Sequence, residues 1–294
     1  MKYKSKIYFH ADDYGLTKES SERILDLIRV GAVNSLSIVP NGCPEYKADE
    51  IAAADVPIYI HVNLVEGRSC CGLQSFLTDE KAFFKHSFTG LLKESLLHKQ
   101  ELKKQVYNET KAQLLRAAEA FPEGTVFGVD SHQHVHMIPA IFRAVLDAVK
   151  DSGVQIEKIR FPAEPILPFV KHPSIWFTYS PVNIVKNLLL NFLKLFNITA
   201  LKKSELRSYV MCGLVFSGKM DSRIKTVYRD FKKIADKRRQ DVCFVFHPGY
   251  IEESEPFLDS GKHSFNQFYL SNNRKTEYRT LKELSEDPEL RKEK

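Results

Sequence analysis

The feature that most constrains this chain is a nearly unbroken alternation of short apolar strand signals with amphipathic helix signals along 294 residues. Strands are expected at about 7–10, 33–39, 57–64, 125–131, 156–161, 208–215 and 241–246. The 3.6-residue period predicts helices at about 18–30, 45–54, 93–120, 139–150, 183–196 and 222–238, and a last one from about 273. Such alternation argues for an α/β protein with a largely parallel sheet. With about seven strands and no linker-like stretch, the expected fold is a single domain over 1–294, a distorted or incomplete (β/α) TIM-like barrel. A doubly wound open sheet is the second choice. A variable insertion is expected around 165–207, where Pro165, Pro168, Pro173 and Pro181 crowd the sequence. The polar stretch 66–90 reads as a long loop, of the length that is usually functional or mobile.

The second constraint is chemical. The heptad Asp130-Ser131-His132-Gln133-His134-Val135-His136 holds three of the chain's ten histidines. In extended backbone Asp130, His132, His134 and His136 would share one face. Buried imidazoles each need partners for their ring nitrogens, so such a row suits a metal ion or proton transfer better than a core. The plainer alternative is a polar rim with one or two hydrogen-bonded histidines.

Other polar residues sit at the same topological position, the ends of predicted strands. Asp12 and Asp13 follow the first strand, His61 lies near the end of the third, Arg160 ends the fifth, and His247 follows the last. In a parallel barrel these all face one mouth, where active sites lie. Individually each has an ordinary explanation: a helix-capping turn for Asp12-Asp13, a structural histidine for His61, a turn for His247-Pro248-Gly249. Those explanations would have to coincide at five strand ends.

Composition narrows the function classes. Hydrophobic residues make up 43% and charged residues 27%, enough apolar material for a large core. The net charge of +6 is spread out, and its densest run, Lys237-Arg238-Arg239, is expected to end a helix. No aromatic–basic module appears, so nucleic acid is not an expected partner. The five cysteines, with Cys70 and Cys71 adjacent and no Cys-x-x-Cys, favour reduced thiols and a cytoplasmic setting. Residues 1–9 carry no apolar run of signal-peptide length. The apolar region 183–200 is interrupted by Lys186, Asn187, Asn191, Lys194 and Asn197, too polar to predict stable membrane insertion. It is expected to pack on the barrel or on a homodimer partner, with a membrane-surface helix as the alternative.

The whole constellation resembles the YdjC-like carbohydrate deacetylases, which include the chitooligosaccharide deacetylases. The resemblance rests on His10-Ala11-Asp12-Asp13-Tyr14-Gly15, on residues 31–37 with Asn41-Gly42, and on His61-Val62-Asn63-Leu64 with Gly67. It continues through the histidine heptad, Ile159-Arg160-Phe161-Pro162 with Glu164, His247-Pro248-Gly249-Tyr250, and residues 274–281. The blocks keep the family's order. His10 stands where the family usually has asparagine, and residues 165–206 match poorly.

The resemblance implies a hydrolase that removes an N-acetyl group from an N-acetylated sugar or oligosaccharide. It implies one divalent metal ion on Asp13, His61 and His132, with Mg²⁺ and Zn²⁺ both compatible with two imidazoles and a carboxylate. Asp12 would be the general base and His247 the general acid, and Arg160 would orient Asp12 or stabilise the oxyanion. Asp130, His134 and His136 would contact substrate or support the ligands, with His136 also open as a direct ligand. Tyr14, Tyr250 and Glu164 complete the set expected to bind substrate or to support the site from behind. Two alternatives stay open: another metal-dependent hydrolase, acting on an ester, phosphoester or cyclic amide, and a catalytically silent sugar-binding protein on the same fold.

Overall fold

The computed structural model describes residues 3–252 and 263–291. Seven parallel strands form one sheet: β1 (Ile7–Tyr14), β2 (Ser35–Ile38), β3 (Ile58–Val62), β4 (Phe127–Ser131), β5 (Ile156–Ile159), β6 (Val210–Cys212) and β7 (Val242–Phe246). Their order is β5-β4-β3-β2-β1-β7-β6. Read as a ring, this is chain order, and the two edges meet. Arg207, just ahead of β6, bridges Lys158 of β5 in parallel through two backbone hydrogen bonds of 2.9 and 3.0 Å. The fold is therefore an incomplete TIM-like barrel whose seam lies between β5 and β6.

Helices cover the outside: α1 (Lys18–Arg29), α2 (Ala48–Ala53), α3 (Phe88–Leu97), α4 (Lys99–Glu119), α5 (Pro139–Ser152), α6 (Leu167–Val170), α7 (Pro181–Lys203), α8 (Ile224–Arg238), α9 (His263–Leu270), α10 (Asn272–Glu286) and α11 (Pro288–Arg291). Alternation along the strands separates two environments. Phe9 packs on Phe244 and Phe246, while its neighbour His10 turns the other way, against Tyr59, which meets Tyr209 from across the barrel. Gly128 makes room for that arrangement: a Cβ there would lie 2.2 Å from the Tyr59 ring.

Two local expectations are corrected and a third is sharpened. The expected helix over 93–120 is two helices that break at His98, where ψ is 42°. The first strand runs to Tyr14 rather than ending at His10, because a bulge with φ of 72° at Asp13 keeps the chain in the sheet. The 66–90 stretch is tied down: the buried Glu109 of α4 accepts hydrogen bonds from Ser69, Gln74 and the amides of Cys70 and Cys71.

Candidate active site

Consecutive strand residues normally face opposite sides. The bulge at Asp13 lets both Asp12 and Asp13 reach the barrel mouth, each only 2% exposed. A non-glycine residue in left-handed backbone costs about 1–3 kcal/mol, so the packing around Asp13 has to hold it there.

Asp13 Oδ1 lies 3.1 Å from His132 Nδ1 and 3.4 Å from His61 Nε2. Its other oxygen accepts a 2.6 Å hydrogen bond from the hydroxyl of Tyr269, in α9. His61 Nδ1 is 2.7 Å from Asp130 Oδ1, which fixes the ring with Nε2 toward Asp13. Ser37 donates to the second oxygen of Asp130 at 2.6 Å.

Asp12 belongs to a second group. Arg160 grips both of its oxygens at 2.6 and 2.7 Å and reaches Asp130 at 2.7 Å. Arg160 Nε donates to Tyr209, and the guanidinium has no exposed surface. His10, fully buried, is held by Ser35 and Ser37 and lies 3.1 Å from Asp12. That geometry, with the side chain fully buried, places Arg160 to orient Asp12. Of the two roles the resemblance allows it, these contacts match the orienting of Asp12.

Charge decides which group suits a cation. Both are sets of three His/Asp side chains with converging donor atoms: Asp13, His61 and His132, and His10, Asp12 and Asp130. The second already contains the Arg160 guanidinium. Across both, three carboxylates face one guanidinium, so two negative charges remain, the amount one divalent ion neutralises. Burial alone would lower the His61 pKa, yet the carboxylates of Asp130, Asp12 and Asp13 outweigh it and raise it to about 9. The field at this position favours a positive charge. Donors bound at about 2.0–2.2 Å to a common ion stand roughly 3–3.5 Å apart, as the two histidines do from Asp13 Oδ1. The donor set of Asp13, His61 and His132 therefore fits a divalent ion.

Burial disfavours ionised Asp12, but Arg160 and His61 hold its carboxyl well below the usual range. His247, after β7, places Nε2 at 3.7 Å from Asp12 Oδ2, beyond hydrogen-bonding distance. Its backbone N–H donates to Glu277, and its ring meets the edge of Phe268. Burial lowers its pKa and Nδ1 has no hydrogen-bond partner. Its side chain keeps 20% exposure, against 2% for Asp12, so it can meet a substrate. Beneath it, Arg274 and Glu277 pair at 2.9 Å, and Arg274 holds the His247 carbonyl.

The rest of the predicted set scatters. The expected flat histidine row does not form: the strand stops at Ser131, and residues His132–Met137 wind into a 3₁₀ turn with left-handed backbone at Gln133 and His134. His132 alone turns to Asp13. His136 spends both ring nitrogens on the protein, on Ser131 Oγ at 2.5 Å and the Arg160 carbonyl at 2.8 Å, so it is no ligand. Burial pushes its pKa down to about 4. His134 is half-buried with Nδ1 unbonded, and burial drives its pKa well down.

Tyr14, expected to offer a sugar a flat surface, has 0% exposure and donates its hydroxyl to the Tyr46 carbonyl. Glu164 is likewise turned inward: its carboxylate accepts from the amides of Gly213, Leu214 and Val215 and from Asn187. Tyr250 is half-buried, with Arg23 4.6 Å above its ring and Tyr278 at its edge. Tyr14 and Glu164 are thus taken up by the protein itself, while Tyr250 keeps part of its ring exposed.

Sequence reasoning missed Tyr269 and Tyr209, which carry no local motif and arrive from distant elements. Ser35 and Ser37 were findable: two hydroxyls at i and i+2 on a buried strand mark one polar face.

The YdjC-like protein family profile matches residues 6–291. The chain is 33% identical to a mouse (Mus musculus) carbohydrate deacetylase over 160 residues, 52% of this chain and 49% of that protein. It is 29% identical to a chitooligosaccharide deacetylase of Yersinia enterocolitica over 162 residues, 53% of this chain and 60% of that one. The aligned part thus spans about half the length of the curated relatives it matches. A solved structure of a candidate cellobiose-phosphate cleavage protein from Enterococcus faecalis V583 superposes with a TM-score of 0.64 at 18% identity, covering 98% of this chain and 93% of that one. That likeness concerns the fold alone.

Proposed function

Because the chain belongs to the YdjC-like protein family, we propose that it is a carbohydrate deacetylase that hydrolyses the N-acetyl group of an N-acetylated sugar or oligosaccharide. The observation that carries the reading is the pairing of a fitted divalent-ion site, Asp13, His61 and His132, with an ionised Asp12 and a partly exposed His247 within 4 Å of it. A divalent ion held there supplies a Lewis acid that polarises the amide carbonyl and acidifies a water molecule.

The chain's own residues do the rest. Arg160 fixes both oxygens of Asp12, leaving it one geometry in which to accept the proton of the attacking water. A carboxylate held this acidic is a weak base, so the proton it takes moves on readily. His247 is neutral at rest because burial lowers its pKa. Lying 3.7 Å from Asp12, it takes up that proton and delivers it to the departing amine nitrogen. Asp130 and Tyr269 hold the ligands His61 and Asp13 in place. The setting belongs to the same reading: all five cysteines are unpaired thiols, which suits the cytoplasm.

The test is acetate release from N-acetylglucosamine oligomers by metal-loaded protein. Asp12→Asn and His247→Ala are each expected to lower kcat by about 10²–10⁴-fold while metal still binds. Full activity in both variants, or no acetate from any N-acetylated sugar, would overturn the reading.

A further inference from the structure

The segment between β5 and β6 is built the opposite way from an ordinary surface helix. The face of α7 turned to the protein carries Asn183, Asn187 and Asn197 along with Leu190 and Leu193. Its outer face shows Val182, Val185, Leu188, Phe192, Leu195 and Phe196, each 51–68% exposed. The asparagines are anchors. Asn183 donates to the carbonyls of Val215 and Ser217, Asn187 to Glu164, and Asn197 to the Met137 carbonyl. Just ahead of the helix, Trp176 is 48% and Phe177 100% exposed. Among the described residues, 11 of the 19 large exposed hydrophobics fall within 166–196. Patches of that concentration mark interaction surfaces.

Charge identifies the partner. From Pro165 to Ser204 there is no aspartate or glutamate, and there are five lysines. Two copies meeting through this face would bring lysines together with no acid from the segment to pair them. An anionic surface would not.

We propose that this face docks the protein on the surface of an anionic lipid bilayer, with the outer side of α7 and Trp176–Phe177 in the headgroup boundary. Aromatic and aliphatic side chains beside lysines on a helix are the composition that binds such interfaces. By length and composition α7 could cross a membrane. Crossing would strip the bonds of Asn183, Asn187 and Asn197 to the barrel, so the helix lies on the bilayer. Those anchors are on the loops after β4 and β6, which puts the bilayer beside the barrel mouth. The docking does not depend on the deacetylase reading.

Trp176 is the only tryptophan in the chain, so its emission reports on this face alone. The experiment is flotation and tryptophan fluorescence at low salt, with phosphatidylcholine vesicles with and without phosphatidylglycerol. The expected result is co-flotation and a blue-shifted emission only with phosphatidylglycerol, both reversed by salt. Phe177→Ser with Phe192→Ser, at exposed positions, should abolish binding with the thermal melt unchanged. Lys202→Glu with Lys203→Glu should weaken partitioning by at least about 25-fold, from roughly fivefold per lysine. Three outcomes would overturn the proposal: a wholly soluble protein with unshifted emission, equal binding to both vesicle types at any salt, or a stable dimer that the phenylalanine pair breaks and that ignores vesicles.

Discussion

Two groups of the same residue types sit side by side at the barrel mouth, and they are completed differently. Around Asp12, Asp130 and His10, the protein supplies its own cation, Arg160, and every oxygen of the two carboxylates has a hydrogen-bonding or ionic partner. Around Asp13, His61 and His132, two histidines converge on one carboxylate oxygen, and the other oxygen takes the neutral Tyr269 hydroxyl rather than a cation. The lesson is that ligand chemistry alone does not make a metal site. The local charge left after internal ion pairing does, and here that balance separates a cluster neutralised from within from one fitted to a divalent ion.

The largest test of the comparison removes the internal cation. Arg160→Met leaves Asp12 and Asp130 buried without their partner, and is expected to cost about 3–5 kcal/mol of stability, measured by urea unfolding. A loss under 1 kcal/mol would mean that the two groups are not distinguished by charge in this way.

Next comes pH, read on chelator-treated protein. His136 is buried as a neutral ring, its pKa depressed from 6.5 to about 4. As pH falls below 6.5 the unfolded chain takes up that proton first, so stability drops by about 3 kcal/mol between pH 6.5 and 4. His61 leans the other way. Its pKa is raised to about 9, so its contribution is complete below the ordinary 6.5 and is lost as pH rises through 9. A dome between these limits is expected, and His136→Gln should flatten its acid side. An acid limb of unchanged steepness in that variant would assign the proton uptake elsewhere.

A smaller effect sharpens the ion site. Asp130→Asn weakens the grip on His61 without removing a ligand, and should reduce metal affinity by about 10–100-fold. Asp13→Ala, which removes a donor, should abolish binding. Titration calorimetry with Zn²⁺ distinguishes them, and equal affinities for Asp130→Asn and wild type would detach Asp130 from the ligand set. The smallest expected effect is Tyr269→Phe. It deletes one hydrogen bond to the Asp13 oxygen that does not face the histidines, and should shift the same titration by about tenfold or less.

Much of the site was legible because strand ends in a parallel barrel share one mouth. Asp12, Asp13, His61, His132, Arg160 and His247 could be grouped from their places along the chain, and the structure brings those six together. The histidine heptad misled because its reading assumed extended backbone. Left-handed residues at Gln133 and His134 turn the three imidazoles apart, and nothing in their side chains announces that conformation. Of the two roles open to Tyr14 and Glu164, only the supporting one matches their contacts, for a related reason: a polar residue near a motif need not face the ligand when a carbonyl or a row of amides elsewhere needs it.

By itself the sequence determined the layer architecture, the parallel sheet and the strand-end position of the chemistry, since these follow from hydrophobic period and alternation. It also carried the acid-free stretch 165–204 in plain view. Only the tertiary structure decided that Arg160 neutralises one cluster and not its neighbour, that Tyr269 reaches Asp13 from 256 positions away, and that α7 buries its asparagines and shows its phenylalanines. Periodicity is a property of neighbours along the chain. Charge balance and the choice of which helix face turns inward depend on groups that only folding brings into contact.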